Sequence, residues 1–301
     1  MLGVTHRRAA PVMRSAPLTT TYESRHPVAL PLASVQLYTL ASEFSADMNG
    51  SLDKLATIGL KNVEAFDFVR RPKEIRAALD ASGLASPTGH APLLSDELWT
   101  PDGSIPTPSN EVVFEAAAEI GMSTVIDPMV PTERWITEDG VKDIAERLNA
   151  ASEKAKEFGL KVGYHNHAQE FLADFGGQTA YQRFLSLVDP AVEIELDLYW
   201  ALVGGQDVVG LVKELGDRLV AIHVKDGIKP ETNPFAPDAP KFNSSSLDQR
   251  HAGEGEVPTI EAMNAATNVK YAVIEYDNAP GDVFEDIENS YRFLIDGGLA
   301  A

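Results

Sequence analysis

The chain has 301 residues, of which 44% are hydrophobic and 23% charged, a composition typical of a folded chain that can bury a full core. It contains no cysteine, which excludes disulfides, thiolate nucleophiles and cysteine-based zinc sites. Its net charge of −20 argues against nucleic acid and anionic membranes as partners.

The first 31 residues are basic, whereas the remainder of the chain is acidic. They include Arg7, Arg8, Arg14 and Arg25. No apolar stretch of about 7–15 residues follows these charges, as a signal peptide would require. We therefore interpret residues 1–31 as a flexible basic N-terminal arm and expect a cytoplasmic protein. No run of about 18 apolar residues predicts a membrane span.

From residue 32 onward, short apolar runs alternate with helical patterns. The runs number about eight, which is the number of strands in a closed barrel. We predict an α/β fold, a single (β/α)8 TIM barrel over residues 32–301. The third run, PTGHA, has weak strand propensity and is included because the count and spacing require it. The predicted strands are Ser34–Tyr38, Asn62–Phe68, Pro87–Ala91, Ser123–Pro128, Lys161–His165, Val192–Asp197, Leu219–Asp226 and Tyr271–Tyr276.

Helices fill the intervals between the strands. The segments IGLKNVEAF, EIGMSTVI and EFGLKVGYH share a pattern in which a helix ends at glycine and a strand follows within a few residues. One apolar stripe of period 3.6 predicts a helix that covers the barrel; its members are Val141, Ile144, Ala145, Leu148, Ala155 and Phe158. Asp282 and Glu285 resemble a capping box at the start of the last helix.

One connection, at about residues 227–257, is much longer than the others. It contains four prolines, three consecutive serines and the sequence GEGE. Loops of this length in compact domains are usually functional, and loops that follow barrel strands lie at the catalytic face. We predict a lid or a subunit contact. The alternative is a disordered insertion.

Ionisable residues gather where the later strands end. The fifth strand delivers His165, His167 and Glu170. The carboxyl ends of barrel strands converge on one pocket, where unpaired charges are costly. Such a mixed nitrogen and oxygen set suits Mn²⁺, Mg²⁺ or Co²⁺ better than Zn²⁺. The next three strands end in Glu195-Leu196-Asp197, His223-Val224-Lys225-Asp226 and Glu275-Tyr276-Asp277.

Each of these residues also has a purely structural interpretation. Asp197 is placed to cap the following helix. His223 in an apolar strand is typical of a hydrogen-bonded core histidine. Glu275 is placed to pair with Lys225 or Lys270. The occurrence of all of them at equivalent ends of successive strands favours a functional site.

The motifs YHNHAQEF, ELDLYW, AIHVKDG and AVIEYD, in this order, resemble the sugar isomerase/epimerase family with the xylose-isomerase-like barrel. The resemblance covers about Ser34 to Leu294 and is strongest to the branch with a YHNH motif. It implies a divalent metal, Mn²⁺ first, with Mg²⁺, Co²⁺ and Zn²⁺ as alternatives. The implied ligands are Glu170, Asp197, His223 and Glu275.

Two departures from the family pattern bear on this ligand set. Many relatives have the first Glu directly at the strand end, where this chain has His165, so the first ligand is either Glu170 or His165. We favour Glu170, since it keeps the carboxylate and leaves His165 free as a base. Trp200 replaces a His of metal-rich relatives, which argues against a multi-zinc, endonuclease-like site.

The resemblance implies that a proton is removed next to a sugar carbonyl and returned elsewhere. His165 or His167 suits the base by its ordinary pKa. Lys225 is placed to neutralise the developing oxyanion. We expect substrate contacts from the earlier strand ends and the sixth loop: His90, Glu64, Tyr38 and Trp200.

The substrate class is less closely defined than the metal site. The sequence has no glycine-rich phosphate cradle, and its acids repel phosphate, which favours an unphosphorylated keto-sugar or keto-glycoside. The alternatives are a lyase that cleaves a 3-keto-glycoside (C- or O-linked) by elimination, and a non-catalytic sugar-binding subunit. The resemblance implies a homo-oligomer or a complex with a partner subunit.

Overall fold

The computed structural model describes residues 29–100 and 103–301. Residues 1–28 of the predicted arm lie outside the described residues. In the described part, twelve strands and ten α-helices alternate along the chain, and short 3-10 helices extend several of them. The strands are β1 Leu32–Val35, β2 Asn62–Ala65, β3 Ala85–His90, β4 Glu97–Thr100, β5 Gly103–Pro106, β6 Thr124–Asp127, β7 Lys161–His165, β8 Glu193–Asp197, β9 Leu219–Val224, β10 Asp226–Gly227, β11 Gln249–Arg250 and β12 Tyr271–Ile274.

The helices lie between the strands, as the alternating pattern predicts. They are α1 Ala41–Ala46, α2 Met48–Ile58, α3 Pro72–Ser82, α4 Asn110–Ile120, α5 Glu138–Ala155, α6 Ala180–Leu187, α7 Leu198–Val203, α8 Val208–Leu215, α9 Thr259–Ala265 and α10 Val283–Asp296. None of the helices in residues 29–100 and 103–301 combines the length and the apolar character needed to cross a membrane.

Eight parallel strands form the barrel. Their order around the sheet is β1, β12, β9, β8, β7, β6, β3, β2, and a parallel bridge between Gln36 and Glu64 joins the two ends. All eight predicted strands are confirmed, including the weak third one, which becomes β3. The antiparallel β4–β5 hairpin after β3 and the short β10–β11 pair in the long loop were not predicted from the sequence.

Glycine ends the helices where the sequence pattern predicts it. Gly59, Gly121 and Gly159 follow helices and have φ of 122°, 88° and 70°, values that side chains with a Cβ rarely adopt. Each is followed within a few residues by a barrel strand. The predicted stripe of α5 is buried from Val141 to Ala155, with Phe158 partly buried at its end. These contacts hold the helices on the outside of the barrel.

Candidate active site

The barrel interior is unusually polar near the carboxyl ends of its strands. Alternate residues of a strand point to the same side, so Glu195 and Asp197 both enter the interior from β8, and His223 and Lys225 both enter it at the end of β9. All four are buried, with at most 1% of each exposed. Burying charges is costly unless they are paired, so the contacts among these side chains decide what the site can do.

Three imidazoles surround one carboxylate oxygen deep in the barrel. Glu195 Oε2 lies 2.7 Å from His90 Nε2, 3.1 Å from His165 Nδ1 and 3.1 Å from His223 Nε2. Glu64 Oε1 lies 2.8 Å from His223 Nε2 and 3.1 Å from His90 Nε2. We call His90, His165, Glu195 and His223 the inner group.

A second cluster lies on the other side of His223. Its Nδ1 is 2.9 Å from Glu275 Oε2, which also lies 2.7 Å from Lys225 Nζ. Lys225 Nζ is 3.0 Å from Asp197 Oδ2 and 2.9 Å from Asp277 Oδ2. Asp197 also caps α7 by accepting from Trp200 N at 2.8 Å, so the structural and the functional interpretations of this residue coexist.

Two sets of four side chains have the spacing of a metal site. One is the inner group; the other comprises His165, Asp197, His223 and Glu275, which we call the outer group. In each set the candidate ligand atoms all lie within 4.8 Å of one another. The outer group contains three of the four predicted ligands together with His165.

Glu170 is placed differently from the other predicted ligands. It lies in a 3-10 helix, Gln169–Phe171, and is fully buried. Its Oε1 accepts from Tyr164 Oη at 2.8 Å, and its Oε2 accepts from His167 N at 3.0 Å. Burial raises the pKa of Glu170 to about 7. The structure brings His165, and not Glu170, together with Asp197, His223 and Glu275.

The cationic groups keep their protons because of their carboxylate neighbours. Burial alone would lower the pKa of Lys225, but Asp197, Asp277 and Glu275 raise it well above its ordinary value. Lys225 is therefore an ammonium that pairs with three carboxylates and offers no base. Burial would likewise lower the pKa of His90, yet the nearby Glu64 and Glu195 carboxylates raise it to about 10.

His165 and His167 are shifted in the opposite direction. Burial, followed by the charge on His223, lowers the pKa of His165 well below its ordinary value. Burial and the charge on Lys225 lower the pKa of His167 to about 3. Both imidazoles are thus neutral at neutral pH. His167 Nδ1 is buried without a hydrogen-bond partner in the described part of the chain.

The long loop covers the mouth of the barrel with aromatic side chains. Phe235 and Phe242 of the loop pack 5.4 and 5.8 Å from the Trp200 ring, measured between ring centroids. Phe235 also lies 5.9 Å from the His167 ring. Asn233 Nδ2 donates to Ala168 O at 2.9 Å, which fixes the loop to the turn after β7. The packing fits a lid over the site.

Asp226 ties the two ends of this loop to β9. Its Oδ1 accepts from Gly227 N at 2.8 Å and Val257 N at 3.1 Å. Its Oδ2 accepts from Gly253 N at 2.9 Å and Gly255 N at 3.1 Å. No role was predicted for Asp226 from the sequence. The two glycines of GEGE could have indicated one, because glycine lets the backbone come close to a carboxylate.

The remaining predicted contact residues fall in two places. His90 belongs to the inner group and Glu64 lies against it, so both are deeper than a substrate contact at the strand ends would suggest. Tyr38 is 44% exposed at the mouth, and its ring packs 5.1 Å from that of Phe66. Trp200 forms the floor beneath the loop aromatics. Glu195 was missed as a site residue, although its two-residue spacing from Asp197 indicated the same strand face.

A family model described as "Xylose isomerase-like TIM barrel" matches residues 52–296. The chain belongs to this family. Among curated proteins, it is 32% identical over 120 residues to inosose dehydratase of Geobacillus kaustophilus. That match covers 38% of this chain and 37% of the relative, so it spans well under half the length of either protein.

Solved structures agree with the barrel. A sugar phosphate isomerase/epimerase from Parabacteroides distasonis is 23% identical, with a TM-score of 0.72 over 95% of this chain and 100% of that chain. A 3-keto-D-glucoside 4-epimerase from E. coli is 17% identical, with a TM-score of 0.62 over 88% of this chain and 99% of that chain. At these identities the two structures support the fold alone.

Proposed function

We propose that the protein is a divalent-metal-dependent sugar isomerase or epimerase that removes a proton next to a carbonyl of an unphosphorylated keto-sugar or keto-glycoside. The observation that carries this proposal is the outer group, in which two imidazoles and two carboxylates from three neighbouring barrel strands and the turn after β12 lie within 4.8 Å. The family membership of the chain supports the reaction class.

The outer group fits a divalent cation by its chemistry. His165, Asp197, His223 and Glu275 are all buried, and the only cationic group beside the two carboxylates within the described residues is the Lys225 ammonium, 3.0 Å from Asp197 Oδ2 and 2.7 Å from Glu275 Oε2, apart from the imidazoles themselves. Two nitrogen and two oxygen donors without thiolate suit Mn²⁺ first, and also Mg²⁺, Co²⁺ or Zn²⁺. When bound, the ion would act as a Lewis acid that polarises the substrate carbonyl. Glu170, the first ligand favoured from the sequence, becomes the alternative to His165 and would have to leave Tyr164 to bind the ion.

In this proposal the acid and base roles fall to different side chains. His167 is the base because its Nδ1 has no hydrogen-bond partner among the described residues and its ring borders Trp200 and Phe235. Its pKa of about 3 keeps the ring unprotonated but makes it a weaker base than the ordinary pKa of histidine implied. His165 is the second candidate base if Glu170 is the ligand. Lys225 stabilises the negative charge that develops on the substrate oxygen, since three carboxylates hold its ammonium in place.

The surroundings of the site favour a neutral sugar. Asp197, Glu275 and Asp277 repel a phosphate group at the point where Lys225 would meet it. Trp200 and the loop aromatics offer apolar faces for a sugar ring, and Tyr38 offers a hydroxyl at the mouth. Substrate contacts from His90 and Glu64 remain part of the proposal, although their present partners lie in the inner group.

A second candidate is elimination, either dehydration or cleavage of a 3-keto-glycoside. The similarity of the chain to inosose dehydratase over 120 residues favours it. Lys225 carries the proton that a departing oxygen needs. A non-catalytic sugar-binding subunit is a third reading; it predicts a missing metal ligand, whereas both groups have a full set of four donors.

The test combines metal content with product analysis. Purified protein loaded with Mn²⁺ is incubated with 3-keto-glucosides, and products are followed by NMR in D₂O. A new stereoisomer with deuterium next to the carbonyl supports the epimerase; release of water or aglycone supports elimination. Glu275→Gln should abolish turnover and retain the fold, whereas the exposed control Glu261→Gln should behave as wild type. Full activity in Glu275→Gln or in EDTA would contradict the proposal.

A further inference from the structure

Glu195 has no role in the proposed reaction, and the contacts that the rest of the inner group makes with it are unusual. Three imidazole nitrogens, from His90, His165 and His223, converge on the single oxygen Glu195 Oε2 at 2.7–3.1 Å. All three must carry a hydrogen to make these contacts as hydrogen bonds. Nitrogen and oxygen donors at such spacing are also what a small tetrahedral cation gathers around itself.

Unpaired oxygens beside this convergence provide independent support. Glu195 Oε1 and Glu64 Oε2 are buried and have no hydrogen-bond partner in the described part of the chain. The opposite oxygen of Glu64 is held by Gln36, whose Nε2 donates to Oε1 at 2.8 Å. A buried carboxylate oxygen left without a donor is costly. A cation held by Glu195 and the three imidazoles would lie beside these oxygens and offset part of that cost.

We propose that His90, His165, Glu195 and His223 form a second divalent cation site that prefers Zn²⁺. The donors are three imidazole nitrogens and one carboxylate oxygen, a set rich in the ligands that zinc takes in proteins. The outer group offers two nitrogens and two oxygens, which shifts its preference toward Mn²⁺ and Mg²⁺. The barrel thus presents two adjacent sites of different selectivity.

The two sites are filled one at a time because they share two ligands. His223 faces the inner group through Nε2 and Glu275 of the outer group through Nδ1. His165 faces Glu195 through Nδ1, and its Nε2 lies 3.9 Å from Asp197 Oδ2. Neutral imidazole offers a lone pair on one nitrogen only. Zinc in the inner site therefore withdraws both imidazoles from the outer site.

This inference rests on the outer group as the proposed metal site, but it does not depend on which reaction the protein catalyses. The experiment therefore measures binding. Full-length protein is stripped with EDTA, and Zn²⁺ and Mn²⁺ affinities are measured separately by competition with chelators. His90 and Glu195 belong only to the inner group and Glu275 only to the outer group, so His90→Gln, Glu195→Gln and Glu275→Gln separate the sites.

We expect His90→Gln and Glu195→Gln to weaken Zn²⁺ binding by about tenfold or more, the scale seen when support is removed from a metal ligand. Their Mn²⁺ affinity should stay within about threefold of wild type. Glu275→Gln should instead weaken Mn²⁺ binding and leave the Zn²⁺ affinity close to that of wild type. Wild-type protein that is given Zn²⁺ and Mn²⁺ together should bind one ion per chain in total. His251→Gln, a histidine in the long loop, is the matched control.

Three outcomes would overturn the inference. One is equal loss of both affinities in all three variants, which would indicate a single site. Another is unchanged Zn²⁺ affinity in His90→Gln and Glu195→Gln. The third is two ions bound per chain. Circular dichroism and thermal unfolding of the stripped variants show whether they are folded. An absent isomerase activity with the expected affinities would contradict only the proposed reaction.

Discussion

Replacing Asp226 by asparagine should release the long loop from the barrel. The carboxylate is 1% exposed and accepts four backbone N–H groups, two on each oxygen. Asparagine has the same shape but carries an NH₂ group in place of one oxygen. Whichever oxygen is replaced, two backbone donors then face another donor.

The size of the effect follows from these contacts. A hydrogen bond to a charged acceptor contributes about 1.5–3 kcal/mol. At the low end of that range, the loss of two hydrogen bonds costs about 3 kcal/mol. The low end applies because Gly253 and Gly255 lie near the surface, so their N–H groups can bond to water instead. We expect Asp226→Asn to lower the free energy of unfolding by about 3 kcal/mol, or to open the loop locally at a similar cost.

Two measurements in EDTA distinguish these cases. Urea unfolding reports the global loss, and the rate of thermolysin cleavage within residues 228–256 reports local opening. The control is Asp248→Asn in the same loop. Its exposed side chain pairs with Arg250, and its replacement should leave both measurements close to wild type. Wild-type stability together with wild-type cleavage of Asp226→Asn would refute the argument.

Two further substitutions test the packing and the charges. Gly253→Ala should lower the free energy of unfolding in urea by roughly 3 kcal/mol, because φ is 85° and the new Cβ would lie 2.3 Å from Phe293. The control Gly177→Ala, where φ is 94° and the Cβ would meet open space, should lower it by about 1 kcal/mol. Equal losses in the two variants would contradict this prediction. Lys225→Met should destabilise the stripped protein by about 3–5 kcal/mol because it leaves buried carboxylates uncompensated, and Mn²⁺ should restore part of the melting temperature. An unchanged melting temperature in EDTA would show that the carboxylates do not need this cation.

The barrel could be predicted because its strands and helix ends are encoded locally. Strand runs such as VEIELD and LVAIHVKD stand out by composition, and glycine after a helix marks the turn into the next strand. The strand at Ala85–His90 did not stand out, and only the count of eight identified it. The β4–β5 hairpin was missed because its two strands have four residues each and no clear alternation.

The site was predicted in its location and less well in its detail. Position at a strand end gave Asp197, His223 and Glu275. Position at a strand end did not predict where the Glu170 side chain points, because the turn after β7 directs it toward Tyr164. Glu195 was not predicted as a site residue because its partners, on β3, β7 and β9, are distant in sequence. Which side chains meet across a barrel depends on strand register and shear, which the sequence of one strand does not contain.

The charges in the barrel link its stability to its chemistry. One ammonium, that of Lys225, contacts three carboxylates. Two further carboxylates, those of Glu64 and Glu195, contact imidazoles, and Glu64 also accepts a hydrogen bond from Gln36. Such a cluster is destabilising in a low-dielectric interior unless cations balance it. Ligands that must lose their protons to bind metal make folding and ion binding interdependent. In the proposed function, Asp197 and Glu275 would hold the metal, and both belong to this cluster of carboxylates, so metal binding and barrel stability would be linked. The cluster comprises Glu64, Glu195, Asp197, Glu275 and Asp277.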